Sequence, residues 1–271
     1  MFIYITTLLL LALPMVASAT PEDDQQQLQN YFLNKSPETP LHSYASDHHN
    51  LNNAHLSAQP TYTHLNQLGQ KLLSASFDNG RSYAYCFRSN GISIGSDYPY
   101  FDVLSSQVRT LAMEINQCRE ENHETPYAYD SPEMEAILIH MMETSRKNIV
   151  NVIMPNDKAA EQAFYKGKQL FFSRRGQLDM ACAHCHIDHA SKRYSGDIIP
   201  PALGLPLRMP RYNSTNEEVT TLHERFNECL SYTKASPFSL QSEELRNLEF
   251  YLFYVNNNLP FNAPSIKLST K

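Results

Sequence analysis

Two cysteines three positions apart, followed at once by a histidine, stand in the stretch Cys182-Ala183-His184-Cys185-His186. That is the attachment pattern of c-type haem. The two thiols add across the haem vinyl groups, and the next imidazole reaches the iron. A C-x-x-C pair alone would also suit a redox dithiol or half a zinc site. A thioredoxin-like dithiol follows a strand in a βαβ unit, and no such unit is legible here. The other axial position has two candidates. Met209, followed by Pro210, would give the His/Met set common in electron transfer. Cys229 would give a strongly donating thiolate, and Arg225 precedes it by four residues, one helical turn. A cation there favours the thiolate and can hold an oxyanion.

The elements that must carry these residues read as mainly α. Ala163 to Phe172 is a helix leading toward the haem motif. Ile199 to Pro210 is too rich in proline for regular helix. Val219 to Phe226 resumes helix before Cys229, and Ser242 caps a last helix with Leu245, Leu248, Leu252 and Val255 on its face. Earlier in the chain, Leu104 to Arg119 has apolar residues near helical spacing. Ser131-Pro132-Glu133 starts a helix whose apolar face is Met134, Ile137, Leu138 and Met141. This methionine stripe reads as core, as does His140.

The two stretches repeat each other. Cys118 lies 13 residues before Ser131 (131 − 118), and Cys229 lies 13 before Ser242 (242 − 229). At this offset of 111 residues (229 − 118), Met134, Ile137 and Met141 fall on Leu245, Leu248 and Leu252. Upstream the offset is 96 (182 − 86), and Gly80 and Cys86 fall on Gly176 and Cys182. Ser89 and Asn90 then stand where the haem motif has Cys185 and His186. The first copy therefore reads as a haem-binding unit without its second thioether and its iron ligand. Its two remaining cysteines, Cys86 and Cys118, are expected to form a disulfide in an oxidising compartment. The alternative is two separate buried thiols.

The compartment follows from residues 1–19. An apolar run from Phe2 leads to Ala17-Ser18-Ala19, a small-x-small site, so cleavage after Ala19 and export to the periplasm are expected. An uncleaved anchor is the alternative, but the run is short for a span. No later segment is long and apolar enough to cross a membrane. The net charge of −6 argues against a nucleic-acid partner or an anionic membrane surface. Residues 20–76 are polar and read as a segment wrapping the first unit, with His42, His48, His49, His55 and His64 scattered as solvated residues. The expected division is then 77–158, a unit without haem, and 159–271, a haem-binding unit. His184, His189 and His223 lie near the motifs and read as surface residues.

At this point the chain resembles the SoxA family, the larger subunits of the SoxAX cytochromes of bacterial thiosulfate oxidation. The residues that carry the resemblance are FDNGRSYAYCF at 77–87, TLAMEINQC at 110–118, RRGQ at 174–177 ahead of the haem motif, Gly204-Leu205-Pro206, LHERFNEC at 222–229 and the stretch from Pro237 to Pro260. The resemblance implies two tandem cytochrome c-like domains and one covalent haem c on Cys182 and Cys185. It implies His186 and Cys229 as axial ligands, Cys229 as a persulfide-bearing catalytic residue, and Arg225 as the thiosulfate-binding cation. It implies a SoxX-like cytochrome c subunit as heterodimer partner and a SoxYZ-like carrier whose cysteine receives thiosulfate with loss of two electrons. With Ser89 and Asn90, this chain resembles the single-haem members. Met209 falls where many relatives have arginine, and Arg211 falls on a neighbouring arginine of the pattern. The alternative is a plain periplasmic electron-transfer cytochrome with His/Met ligation.

Overall fold

Short helices, most of them capped by a side chain at the start, dominate the computed structural model, which describes residues 20–45, 53–194 and 197–267. The expected signal peptide and His48 and His49 lie outside the described residues. The helices are α1 (Pro21–Lys35), α2 (Asn53–Ser57), α3 (Pro60–Ser74), α4 (Leu111–Glu121), α5 (Pro132–Glu143), α6 (Lys158–Phe172), α7 (Leu222–Tyr232) and α8 (Glu243–Val255). Short strands are β1 (Tyr100–Asp102), β2 (Gln107–Arg109), β3 (Arg193–Tyr194), β4 (Asp197–Ile198), β5 (Arg211–Asn213), β6 (Glu218–Thr220) and β7 (Ser265–Lys267). The expected caps form. Ser131 accepts from the Met134 amide with Pro132 at the first helical position, and Ser242 accepts from the Leu245 amide. Each such cap is typically worth ~1 kcal/mol.

The repeat is visible in the backbone. Helix α3 crosses α5, and α6 crosses α8. At each crossing a glycine lets the backbones touch: Gly69 faces the Ala136 carbonyl and Gly167 faces the Asn247 carbonyl. The carbonyl partners are again 111 residues apart (247 − 136). The hairpin β1–β2 pairs Phe101 with Val108, and β5–β6 pairs Tyr212 with Val219, at the same offset (212 − 101). A cis X-Pro bond precedes each hairpin, at Tyr98-Pro99 and Met209-Pro210.

The two hairpins are exchanged across the molecule. Phe101 and Val108 are buried among residues of α6 and α8. Tyr212 and Val219 are buried against Tyr62 of α3 and Ile139 of α5. Burying side chains of this size contributes about 1.5–3 kcal/mol each, so the exchange ties the helix pairs together. Strand β7 adds in parallel to β5.

Three sequence expectations change. Leu104 to Arg119 is not one helix: the hairpin takes 100–109 and α4 starts at Leu111, capped by Thr110. Likewise β6 ends at Thr220 before α7 begins. Val108 and Val219 fit a helical spacing, but as β-branched residues they also suit a half-buried strand. The polar segment 20–76 divides. Its α1 lies along α8, burying Leu28 and Phe32 in the second core, with Lys168 Nζ 2.6 Å from Asp24 and the Tyr254 hydroxyl 2.7 Å from Glu22. Its α3 is the helix that crosses α5.

Candidate active site

A largely apolar cavity opens between α6, the haem-motif turn, the 199–210 loop, α7 and α8. Cys182, His186, Met209, Arg211, Arg225 and Cys229 all reach it, and leucines and phenylalanines form most of the remaining wall. The structure thus brings both candidate axial sulfurs and the candidate anion-binding arginine to the motif's histidine. Cys185 sits on the same turn, a π-helical stretch over His184–Asp188. His184 holds the start of that turn, its Nδ1 accepting the Ala181 amide at 3.0 Å.

His186 is buried, and its Nδ1 lies 2.7 Å from the Pro200 carbonyl oxygen. A carbonyl only accepts, so Nδ1 carries the proton and Nε2 keeps its lone pair. Burial pushes the imidazole down to about 4, which keeps it neutral. A neutral imidazole fixed in this tautomer by a backbone carbonyl is how a metal-ligating histidine is held. The residues present therefore fit haem c: two thiols on one turn, one Nε2 lone pair, and an apolar cavity that sulfur side chains also line.

Helix α7 positions the remaining chemistry. Thr221 and Glu224 close a capping box at its start, and Phe226 and Leu230 bury its inner face. Burial pushes the Cys229 thiol up, and Arg225 beside it acts in the opposite direction. Burial also works against the Arg225 charge, but Cys229 and Glu228 outweigh it and raise the pKa of the guanidinium. Arg225 is not a bare cation. Its Nη1 lies 2.7 Å from Glu228 Oε2, and its guanidinium stands 6.0 Å over the Tyr232 ring. Arg208 also lines the cavity. Neither Glu228 nor Arg208 was singled out by the motifs. The signal for Glu228 was its three-residue spacing from Arg225 on a helix.

The first copy of the repeat holds no such site. Cys86 and Cys118 are bonded, with an S–S distance of 1.99 Å and a Cα–Cα distance of 5.8 Å. Asn122 donates to the Cys118 carbonyl at 2.7 Å. The Arg119 guanidinium stacks on Tyr127 at 3.7 Å and donates to the Thr125 carbonyl. Ser89 and Asn90, at the positions of Cys185 and His186, adopt left-handed backbone with φ of 51° and 55°. The three cavity arginines are replaced as well. At the 111-residue offset Arg208, Arg211 and Arg225 become Asp97, Tyr100 and Glu114 (225 − 114 = 111). Asp97 pairs with Arg88 and Glu114 with Arg109.

His223 is a correction to the sequence reading. It is buried rather than exposed, with Nδ1 accepting the Gln241 amide at 3.1 Å and Nε2 2.9 Å from Glu249. It lies on α7 six residues before Cys229, so it faces the seam between the helix pairs. Among the described residues, His42, His55 and His64 join no metal-binding cluster.

The haem motif, the neutral His186 and the helix crossings define a c-type cytochrome. The family model described as the SoxA/TsdA cytochrome c domain matches residues 69–150 and 166–261. The L-cysteine S-thiosulfotransferase subunit SoxA of Allochromatium vinosum is 36% identical, over 93% of this chain and 92% of its own length. The protein of the same name from Chlorobaculum tepidum is 35% identical, over 91% of this chain and 88% of its own. A crystal structure of SoxXA from P. pantotrophus superposes with a TM-score of 0.68 at 25% identity, covering 77% of this chain and 79% of that one. The chain belongs to the SoxA family.

Proposed function

We propose that this protein is the catalytic cytochrome subunit of an L-cysteine S-thiosulfotransferase, joining thiosulfate to a carrier-protein cysteine. The observation that carries this reading is the pairing of Cys229 with Arg225 in the wall of the cavity that holds His186. A plain electron carrier needs no such pair. The relatives named above supply the reaction class.

Cys182 and Cys185 would hold one haem c covalently, and His186 and Cys229 would supply the ligands to its iron. When bound, haem c would accept one of the two electrons released, and the partner cytochrome c subunit would take the other. The net reaction is carrier-SH plus thiosulfate giving carrier-S-S-sulfonate, one proton and two electrons. Arg225 holds the sulfonate oxygens of the dianion with its planar donors. The Cys229 sulfur, as thiolate or as the persulfide the family resemblance implies, bonds to the outer sulfur of thiosulfate with loss of two electrons. The carrier thiolate then attacks that outer sulfur, and Cys229 leaves in the form in which it entered, thiolate or persulfide. Fixing the anion next to Cys229 makes the bond-forming step effectively unimolecular.

Residues 60–150 and 158–267 are two tandem cytochrome c-like domains, and the first has a disulfide in place of haem. The repeated glycine crossings and hairpins support this division. The partner is a SoxX-like cytochrome c subunit, and the carrier is SoxYZ-like. The chain works in the periplasm after cleavage following Ala19. No helix among the described residues is long and apolar enough to cross a membrane.

Met209 is buried and lines the same cavity, which favours one second reading, electron transfer with His186/Met209 ligation. One experiment separates the two. The purified chain with its partner cytochrome is given thiosulfate and a reduced carrier, and the carrier peptide is weighed. The first reading predicts a thiosulfate adduct on the carrier cysteine together with reduced haem. Reduced haem without adduct supports the second.

A further inference from the structure

The 200–204 loop holds His186 twice. The Pro200 carbonyl accepts from His186 Nδ1 at 2.7 Å, and the Ala202 amide donates to the His186 carbonyl at 2.7 Å. What holds that loop is a side chain from the opposite wall. Asn256, immediately after α8, is completely buried, with 0% exposure. Its Oδ1 accepts the Gly204 amide at 2.5 Å, while its Nδ2 donates to the Ala202 carbonyl at 3.2 Å and the Leu252 carbonyl at 2.8 Å. The side chain therefore grips the loop at residues 202 and 204 and anchors it to the last turn of α8.

The other half of the molecule provides an internal control. The position equivalent to Asn256 is Ser145 (256 − 145 = 111), which is also completely buried. Ser145 Oγ accepts the Gly95 amide at 2.7 Å and donates to the Met141 carbonyl at 3.0 Å. Met141 is the counterpart of Leu252, so serine reproduces that bond, while the loop amide it accepts stands two residues further along than the one Asn256 accepts (95 against 204 − 111 = 93). A hydroxyl has one proton and has used it; only an amide has a second. The added bond, to the Ala202 carbonyl, occurs in the half whose loop carries a histidine acceptor. The half without it has Asn90 at the ligand position. Helix capping does not explain the choice of residue, because Asn256 has φ of −101° rather than the left-handed conformation of an asparagine cap.

We infer that Asn256 is a positioning residue for His186, its Nδ2 arm to Ala202 fixing the loop whose Pro200 carbonyl sets the orientation and basicity of the imidazole. This rests on the reading of His186 as the iron ligand. A partner hydrogen-bonded to the far nitrogen makes an imidazole a stronger donor, which favours the oxidised metal. Loosening the loop weakens that bond and raises the reduction potential.

The test uses the haem-loaded full chain and the Asn256→Ser variant, whose hydroxyl can bond the Leu252 carbonyl as Ser145 bonds Met141 but has no second proton for Ala202. Ser145→Ala is the control for destabilisation without loss of positioning. The expected result is one haem per chain in all three proteins. At fixed potential the reduced-to-oxidised ratio should rise at least threefold in Asn256→Ser alone. That is roughly +28 mV at 59 mV per tenfold for one electron. Shifted low-spin EPR g-values should accompany it. Unchanged potential and g-values with only a lowered melting temperature would overturn the inference, as would a lower potential. If the variant does not accumulate, hydrogen exchange on the parent protein decides. The Gly204 and Ala202 amides should exchange as slowly as those of α8, and exchange at loop rates would refute the clamp. Failure of the haem reading would register separately, as a parent protein without haem in the pyridine haemochrome assay.

Discussion

Glu228 should weaken thiosulfate binding, and removing its charge should tighten it. The carboxylate sits 2.7 Å from Arg225 Nη1, with side-chain exposures of 46% for Glu228 and 26% for Arg225. An incoming dianion must share or displace this contact, and it meets a like charge beside it. Ion pairs as exposed as this one are worth about 0.2–1 kcal/mol. Glu228→Gln keeps the size and an acceptor oxygen but removes the charge, so most of that energy becomes available to the substrate. At RT of about 0.59 kcal/mol, the upper end corresponds to a KM about fivefold lower. The contact concerns ground state and transition state alike, so kcat should hardly move. The gain should shrink at high ionic strength, where exposed charges are screened. The assay is the initial rate of carrier conjugation against thiosulfate concentration, at low and high salt. A KM that is unchanged or higher in Glu228→Gln at low salt would refute the competition between Glu228 and substrate.

Three further outcomes concern the scaffold. Gly167→Ala drives a Cβ into the Asn247 carbonyl at the α6–α8 crossing, so it should cost at least about 1–3 kcal/mol and lower the melting temperature. An unchanged melting curve would contradict the close contact. Glu135 is pushed up to about 7, by burial first and then by Glu224, Asp130 and Glu218. Folded protein thus keeps this proton to higher pH than the unfolded chain, whose carboxyl titrates near 4.5, and the cost to stability sets in above that pH and is complete above about 7. Glu135→Gln should raise the melting temperature at pH 8 and leave it unchanged at pH 4; equal effects at both would refute the assignment. Replacing Cys86 and Cys118 by serine opens a loop with a sequence separation of 32, which on the loop-entropy model costs about 3–4 kcal/mol. Urea unfolding followed by tyrosine fluorescence should register that loss while haem content stays at one per chain.

The site was legible where chemistry imposes spacing. The haem motif singled out Cys182, Cys185 and His186 and the repeat pointed to Cys229, and the structure brings Cys182, His186 and Cys229 to one cavity with Cys185 on the adjoining turn. The disulfide followed from what the first copy retained. Less legible was anything that depends on a partner distant in sequence. Val108 and Val219 matched a helical period, yet the hairpins won because each packs on the other half's helix pair. His223 has no motif, and its burial comes from Gln241 and Glu249 on other elements. Helix α1 belongs to the polar segment read as wrapping the first unit, but Leu28 and Phe32, four residues apart, are buried in the second core. Glu228 was legible only as a neighbour on a helix; that it occupies Arg225 needed the side-chain geometry.

Whether Cys229 is both the axial sulfur and the reacting sulfur is tested most directly by Cys229→Met. The substitution keeps a sulfur at the cavity wall and removes the nucleophile. The variant is loaded with haem, its oxidised EPR and absorption spectra are recorded, and its conjugation of thiosulfate to the carrier is timed against the parent. The account predicts a folded, haem-loaded protein with spectra changed from thiolate to thioether ligation and no conjugation. Conjugation at the parent rate would contradict it.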